Sequence, residues 1–305
     1  MKIMVVGIGG VGGYLASILC AHYEQQVTLV ARKQRGAALK AKGLVLHSAF
    51  FGEHVFHPQV VETPQVAGTQ DIIFVCVKNY SLDSALQSIK PVVGAHTIVV
   101  PVLNGVDHEA AVRAIIPECR IVSSTIYITS AYNEDFSIKQ MGMFARIFLG
   151  SQEAEALDTV YELLHHEGLS CHKSENIRIE EWKKYIMNCA YNVLTAYYEG
   201  TIGECFAKPQ GLAEFKTLLA ESYQVGRAAG VELPADLVET TYERVANQKD
   251  KNVSSSLARD VIAKRQNELE TFSGYLVELA EKVNVPVPLS AKFYQELKQR
   301  CQGDK

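Results

Sequence analysis

The chain has 305 residues, 48% hydrophobic and 21% charged, ordinary proportions for a globular protein with material for a large core and for two domains. Thirty Lys and Arg against 34 Asp and Glu leave a formal net charge of -4, without the basic excess that phosphate-backbone binding needs, so nucleic acid is not an expected partner. The longest apolar runs, Ile72 to Val77 and Ile98 to Leu103, are strand-sized and far short of the roughly 18–20 residues of a membrane span, so no membrane partner is expected either.

Met1 and Lys2 lead directly into Ile3-Met4-Val5-Val6, too short for a signal peptide and better read as a first strand, which makes the cytoplasm the expected location. A helix from about Val11 to His22, a strand at Val27 to Val30, and strands at Asp71 to Val77 and Thr97 to Leu103 follow. That alternation predicts βαβ units around a parallel sheet. Between Leu44 and Val61 an extended hairpin broken at Gly52 is expected within the wound sheet. Ile121 to Ile128 and Phe144 to Leu149 read as antiparallel edge strands, followed by a helix from Glu153 to Glu167. After Asn176 strand-like alternation gives way to helical periods at Arg178 to Tyr198, Gly211 to Gly230, Ala235 to Asn247, Leu257 to Val283 and Ser290 to Cys301. The expected architecture is an α/β N-terminal domain, a Rossmann-type dinucleotide-binding domain over residues 1–174, followed by an all-α domain over residues 175–305.

Gly7-Ile8-Gly9-Gly10-Val11-Gly12 follows the first strand and opens the first helix, the context that a dinucleotide fingerprint requires. Gly7 permits the tight turn, Gly9 lets main chain approach a pyrophosphate, and Gly12 lets helix and strand pack closely. About 20 residues on, where NAD-binding chains carry an acid for the ribose, this chain has Arg32, with Lys33 and Arg35 close behind. A guanidinium there suits a 2′-phosphate, so NADPH/NADP+ is the expected cofactor, against the alternative of an exposed basic turn. The later strands run into Lys78-Asn79 and Asn104-Gly105 at the sheet's carboxyl edge, where ligands of doubly wound sheets lie.

In the helical half, Lys184, Asn188 and Asn192 are spaced four apart along one narrow helix face in an otherwise apolar and aromatic stretch. A buried stripe of this kind faces either a polar cavity or a structural polar network. The lysine suits a general acid for an oxyanion forming at a ketone, and the asparagines suit a small oxygenated substrate. Ser254-Ser255-Ser256 reads equally as a helix cap or as a carboxylate-binding turn. Glu268, one turn before Phe272, reads equally as an inward acid or as a helix-surface one. The seven cysteines form no C-x-x-C, and His54-x-x-His57 and His165-His166 come without further ligands, so no metal is assigned.

Taken in order, the glycine motif, Arg32, Lys78, Asn104-Gly105, the block Trp182-Lys183-Lys184-(x)3-Asn188-(x)3-Asn192-Val193-Leu194-Thr195, Ser255-Ser256 and Asn267-Glu268 resemble ketopantoate reductase over nearly the whole chain. The resemblance implies NADPH-dependent reduction of the C2 ketone of 2-dehydropantoate, a small 2-oxo acid, to (R)-pantoate, a step toward pantothenate and coenzyme A. It implies Lys184 as general acid and Glu268 as support for the lysine, the substrate and the cofactor. Asn188, Asn192, Asn104 and Ser256 become substrate contacts, with Asn104 also by the cofactor. Gly7, Ile8, Gly9, Gly10, Val11, Gly12, Arg32 and Lys78 become cofactor contacts. Ser256 is preferred to Ser255 by an ungapped count back from Glu268. Val193 stands where the family usually has proline, and Ile202 where it often has asparagine. A homodimer is compatible with this reading, because an apolar helical surface for dimerisation looks like core in one dimension.

Overall fold

A computed structural model describes residues 1–303. The chain divides into two compact units, Met1–Ile177 and a second beginning at Arg178.

In the first unit β1 (Ile3–Val6) feeds α1 (Gly10–Tyr23), β2 (Val27–Val30) and α2 (Lys33–Lys42). A hairpin of β3 (Leu44–Ser48) and β4 (Gly52–Phe56) precedes β5 (Gln59–Val61). Then come β6 (Gln70–Val75), α3 (Leu82–Ile89), β7 (Val93–Pro101), α4 (His108–Ile115) and β8 (Arg120–Ile121). The six strands β5-β2-β1-β6-β7-β8 form a wholly parallel sheet. Counted within that sheet the order is 3-2-1-4-5-6, the doubly wound order, whose reversal falls between β1 and β6.

Both faces of this sheet are covered, which is why β1 is apolar without interruption. Ile3, Val5, Phe74, Ile98 and Val100 enter one core with α1, while Met4, Val6, Ile73, Val75 and Val99 enter the other with Leu86, Ile89 and Val112 of α3 and α4. Helix α1 is buried around most of its circumference because a second sheet covers its far side. That sheet contains the β3–β4 hairpin, β9 (Ser123–Tyr132), β10 (Ile138–Gly150) and β11 (Ser170–Lys173), with α5 (Ala154–Leu164) between the last two. Strand β10 pairs antiparallel with β9 along one edge, and parallel with β3 and then β11 along the other.

The hairpin and the antiparallel strands therefore build a sheet of their own rather than extending the wound one. Gln140, 2% exposed, holds β10 at its bulge: it accepts from Ser48 Oγ at 2.6 Å and donates to the Met141 and Gly142 carbonyls at 2.7 and 3.0 Å.

The second unit, among its described residues, is all helix: α6 (Ile177–Tyr197), α7 (Ile202–Phe206), α8 (Gly211–Ala228), α9 (Leu237–Ala246), α10 (Ser256–Ile262), α11 (Tyr275–Lys282) and α12 (Pro288–Gly303). Val193, buried near the end of α6, keeps its amide, so the helix runs unbroken for 21 residues. The long helix expected from Leu257 to Val283 is two elements. Lys264 turns the chain at φ 51° after α10, and Asn267 Oδ1 then accepts the Leu269 amide at 3.1 Å, capping a new start. Buried Glu221 of α8 anchors α12, accepting the Leu289 and Ser290 amides at 2.9 and 2.8 Å and the Ser290 hydroxyl at 2.6 Å.

Candidate active site

The glycine turn is shaped by the space denied to side chains. Gly7 has φ +94°, and a Cβ there would stand 2.7 Å from the Cys76 carbonyl and the Val77 nitrogen beyond β6. A Cβ at Gly12 would stand 2.1 Å from the Gly7 carbonyl oxygen, and one at Gly10 would stand 2.6 Å from the Ser130 main chain. Gly9 differs from the other three, since a Cβ placed on it meets nothing within 4 Å. It is the N-cap of α1, extended and with no side chain to occupy the first-turn amides. Those amides and the positive end of the helix dipole suit an anion that approaches over Gly9, so the turn fits a dinucleotide pyrophosphate. Ile8 and Val11 pack inward with the core. Arg35 secures the turn from outside, donating from Nη1 to the Ile8 carbonyl at 2.7 Å while its guanidinium lies 4.2 Å from the ring centre of Tyr132.

Arg32, exposed at the N-cap of α2, donates from Nε to the Glu62 carbonyl just past β5 at 3.2 Å, an arrangement that leaves its two terminal nitrogens outside that bond. Lys78, half-buried, precedes a 3₁₀ turn over Asn79–Ser81 at the end of β6. The Asn79 amide donates to the Asn104 carbonyl, and buried His108 joins them, its Nε2 lying 3.0 Å from that carbonyl and 3.1 Å from Asn79 Oδ1. Both partners of Nε2 are acceptors, so this nitrogen carries the proton. The ends of β6 and β7 are thus tied through a histidine that sequence reading passed over. Its signal, Asn79 and His108 about 29 positions apart, has no period to betray it.

In the second unit the stripe on α6 is a connected polar chain. Asn188 and Asn192 are buried, the Asn192 amide donates to Asn188 Oδ1 at 3.2 Å, and Ser256 Oγ donates to Asn192 Oδ1 at 3.4 Å. The adjacent serines differ in their partners. Ser255 caps α10, accepting the Ala258 amide at 3.0 Å and the Thr195 hydroxyl at 2.7 Å, while Ser256 turns to the asparagines. One turn before Asn188, burial pushes the Lys184 amine down to about 8, and the attraction of Glu268 opposes that fall. Glu268, 4% exposed, lies in the connection after α10 rather than on a continuous helix, directly ahead of a π-helical turn over Glu270–Gly274.

Ile202, which stands where the family often has asparagine, is buried as the first residue of α7. The sequence signature there is Thr201-x-x-Glu204, a reciprocal capping box. No group of three or more His, Cys, Asp or Glu among the described residues is placed to hold a metal, and no described helix is long and apolar enough to cross a membrane.

The doubly wound sheet with its glycine turn in one unit, and in the other a half-buried lysine with a buried carboxylate acting on it, define a dinucleotide-binding oxidoreductase. The family models described as ketopantoate reductase PanE/ApbA and ketopantoate reductase PanE/ApbA C terminal match residues 3–153 and 176–301, and the chain belongs to the ketopantoate reductase family. An uncharacterized oxidoreductase from Bacillus subtilis is 28% identical, the match covering 97% of this chain and 98% of that one. A 2-dehydropantoate 2-reductase from Streptococcus pyogenes is 27% identical over 94% of each chain. The crystal structure of a PanE/ApbA family ketopantoate reductase from Ralstonia eutropha has the same fold, with a TM-score of 0.91 at 24% identity over 99% of both chains.

Proposed function

We propose that the protein reduces the C2 ketone of 2-dehydropantoate to (R)-pantoate with NADPH. The observation that carries this reading is the desolvated lysine: an amine pushed down to about 8 by burial, opposed by a buried carboxylate, one turn from a chain of neutral hydrogen-bonding groups. NADPH, when bound, supplies the hydride. Reduction places that hydride on C2 and leaves the electron pair of the former C=O bond on oxygen. Lys184, protonated below about pH 8, gives its proton to that oxygen. Glu268 opposes the effect of desolvation and so favours the ammonium form. Asn188, Asn192 and Ser256 orient the oxygenated substrate without adding charge, and Asn104 is a further substrate contact in this reading. The α1 amides over Gly9 hold the pyrophosphate, Lys78 stands at the sheet end that cofactor contacts use, and Arg32 grips the 2′-phosphate.

The test is loss of NADPH absorbance with purified protein and 2-dehydropantoate, beside NADH and a panel of other 2-oxo acids. Turnover with NADPH that ranks 2-dehydropantoate first by kcat/KM supports the proposal. A different acid ranked first keeps the reaction and replaces the substrate, a reading favoured by buried Ile202 in place of a polar side chain. Binding of NADPH with no oxidation on any acid would overturn the enzymatic reading.

A further inference from the structure

Tyr185 follows the lysine on α6 and is 1% exposed. Its hydroxyl donates to the main-chain carbonyl of Thr271 at 2.8 Å. Thr271 lies inside the π-helical turn Glu270–Gly274, which opens two residues after Glu268. The Glu268 carbonyl in turn accepts the Thr271 and Phe272 amides at 3.1 and 3.2 Å. The Tyr185 hydroxyl therefore joins the lysine's helix to the backbone that presents the carboxylate.

Two features make this bond more than incidental packing. A π turn closes its bonds over five residues, as the Tyr275 amide does on the Glu270 carbonyl, and such turns are rare and concentrate at functional sites. The tyrosine ring is also confined. It meets Trp182 edge-on at 5.5 Å and Tyr275 edge-on at 6.1 Å, and the indole is itself close against α8, where a Cβ on Gly226 would stand 2.7 Å from it. The hydroxyl is a fixed point from which the turn hangs.

We propose that Tyr185 is a positioning residue for the Lys184–Glu268 pair: by tethering the π turn to α6 it sets how near the carboxylate stands to the amine. The inference rests on the reading of Lys184 as the proton donor. The charged neighbours of Lys184 along α6 are Glu180, Glu181 and Lys183, of which Glu180 and Lys183 pair at 2.8 Å, and the charge that acts on the amine is Glu268, from the segment after α10. The amine responds to Glu268. Cys189, one turn along α6 and within reach of Tyr185, is uncharged because burial pushes its thiol to about 12.

Tyr185→Phe keeps the ring and removes the hydroxyl, and with it the bond to Thr271 and the contact with Cys189. Its kcat is expected to fall about fivefold with the KM for NADPH unchanged. The loss of reduction at high pH should begin at lower pH than in the parent. The same displacement should appear without turnover in the 15N resonance of the Lys184 amine titrated in the intact protein, assigned by its absence in Lys184→Met. A variant whose thermal midpoint drops while the amine titrates as in the parent has lost only a structural bond, and that result overturns the proposal. Failure of the underlying reading looks different: Lys184→Ala then retains near-normal turnover, whatever the amine resonance of Tyr185→Phe does.

Discussion

The glycine turn at the start of α1 and the polar stripe along α6 present chemistry in opposite ways. The turn works through main chain, and its shape is enforced by atoms that are missing: three of its four glycines stand where a Cβ would lie within 2.7 Å of neighbouring main chain. The stripe works through side chains, and its chemistry is set by how thoroughly they are withdrawn from water. One site is damaged by adding a carbon, the other by removing a nitrogen. This asymmetry separates effects on folding and cofactor binding from effects on chemistry, and each prediction below tests one side of it.

The largest effect is expected on the side-chain site. Lys184→Ala should lower kcat by about 10²- to 10⁴-fold while leaving NADPH affinity, followed by fluorescence titration, near the parent value. On the main-chain site two substitutions of equal size should diverge. Gly12→Ala puts its Cβ 2.1 Å from the Gly7 oxygen, a clash between backbone and helix that should cost about 1–3 kcal/mol or more, lower the thermal midpoint by several degrees and weaken NADPH binding. Gly9→Ala meets nothing within 4 Å, so its midpoint should stay within about a degree while NADPH affinity falls about tenfold. Equal NADPH affinity in Gly9→Ala and the parent would show that the anion does not approach over Gly9.

Arg32 and Arg35 sharpen the same contrast within the first unit. Arg32→Ala should weaken NADPH by about 10- to 100-fold, the worth of a charge-assisted bond to phosphate, and leave NADH untouched. Arg35 holds the Ile8 carbonyl of the turn itself, so Arg35→Ala should weaken both cofactors alike and by less. Discrimination between NADPH and NADH that survives Arg32→Ala and vanishes in Arg35→Ala would reverse the two assignments.

The two sites also differ in how far the sequence discloses them. Gly7 to Gly12 lies between a strand and a helix within a few residues, so local chemistry announces it. The stripe shows its spacing on α6 but not its partners. Ser256 reaches it from 64 residues on and Glu268 from 84, and the capping role of Ser255 emerges only when Thr195 and Ala258 are seen around it. The second sheet was hidden for a related reason: β10 finds β3 about 92 positions away and β11 about 24 away, pairings that no period encodes. Strand β11 itself, Ser-Cys-His-Lys with three exposed residues, has too little apolar alternation to stand out. The break in the expected Leu257–Val283 helix was written as Asn267, a capping residue inside an otherwise helical run.

The smallest effect on rate at low pH, and the most diagnostic, belongs to Glu268→Gln. Lys184 titrates near 8 because desolvation lowers its pKa more than Glu268 raises it. The lysine donates a proton during reduction, so kcat should be flat below that value and fall as pH rises through it, since the ammonium form is then lost. Replacing the carboxylate with a neutral amide of the same shape removes the upward contribution and leaves desolvation unopposed, so the fall should begin at lower pH. At pH 6, where the amine stays largely protonated, kcat should remain within about threefold of the parent. A fall that moved to higher pH, or did not move at all, would mean that Glu268 does not act on the charge of Lys184 during turnover. The main-chain site has no such titrating partner, so Gly9→Ala should retain the parent's pH profile at saturating NADPH even while its affinity for the cofactor is reduced.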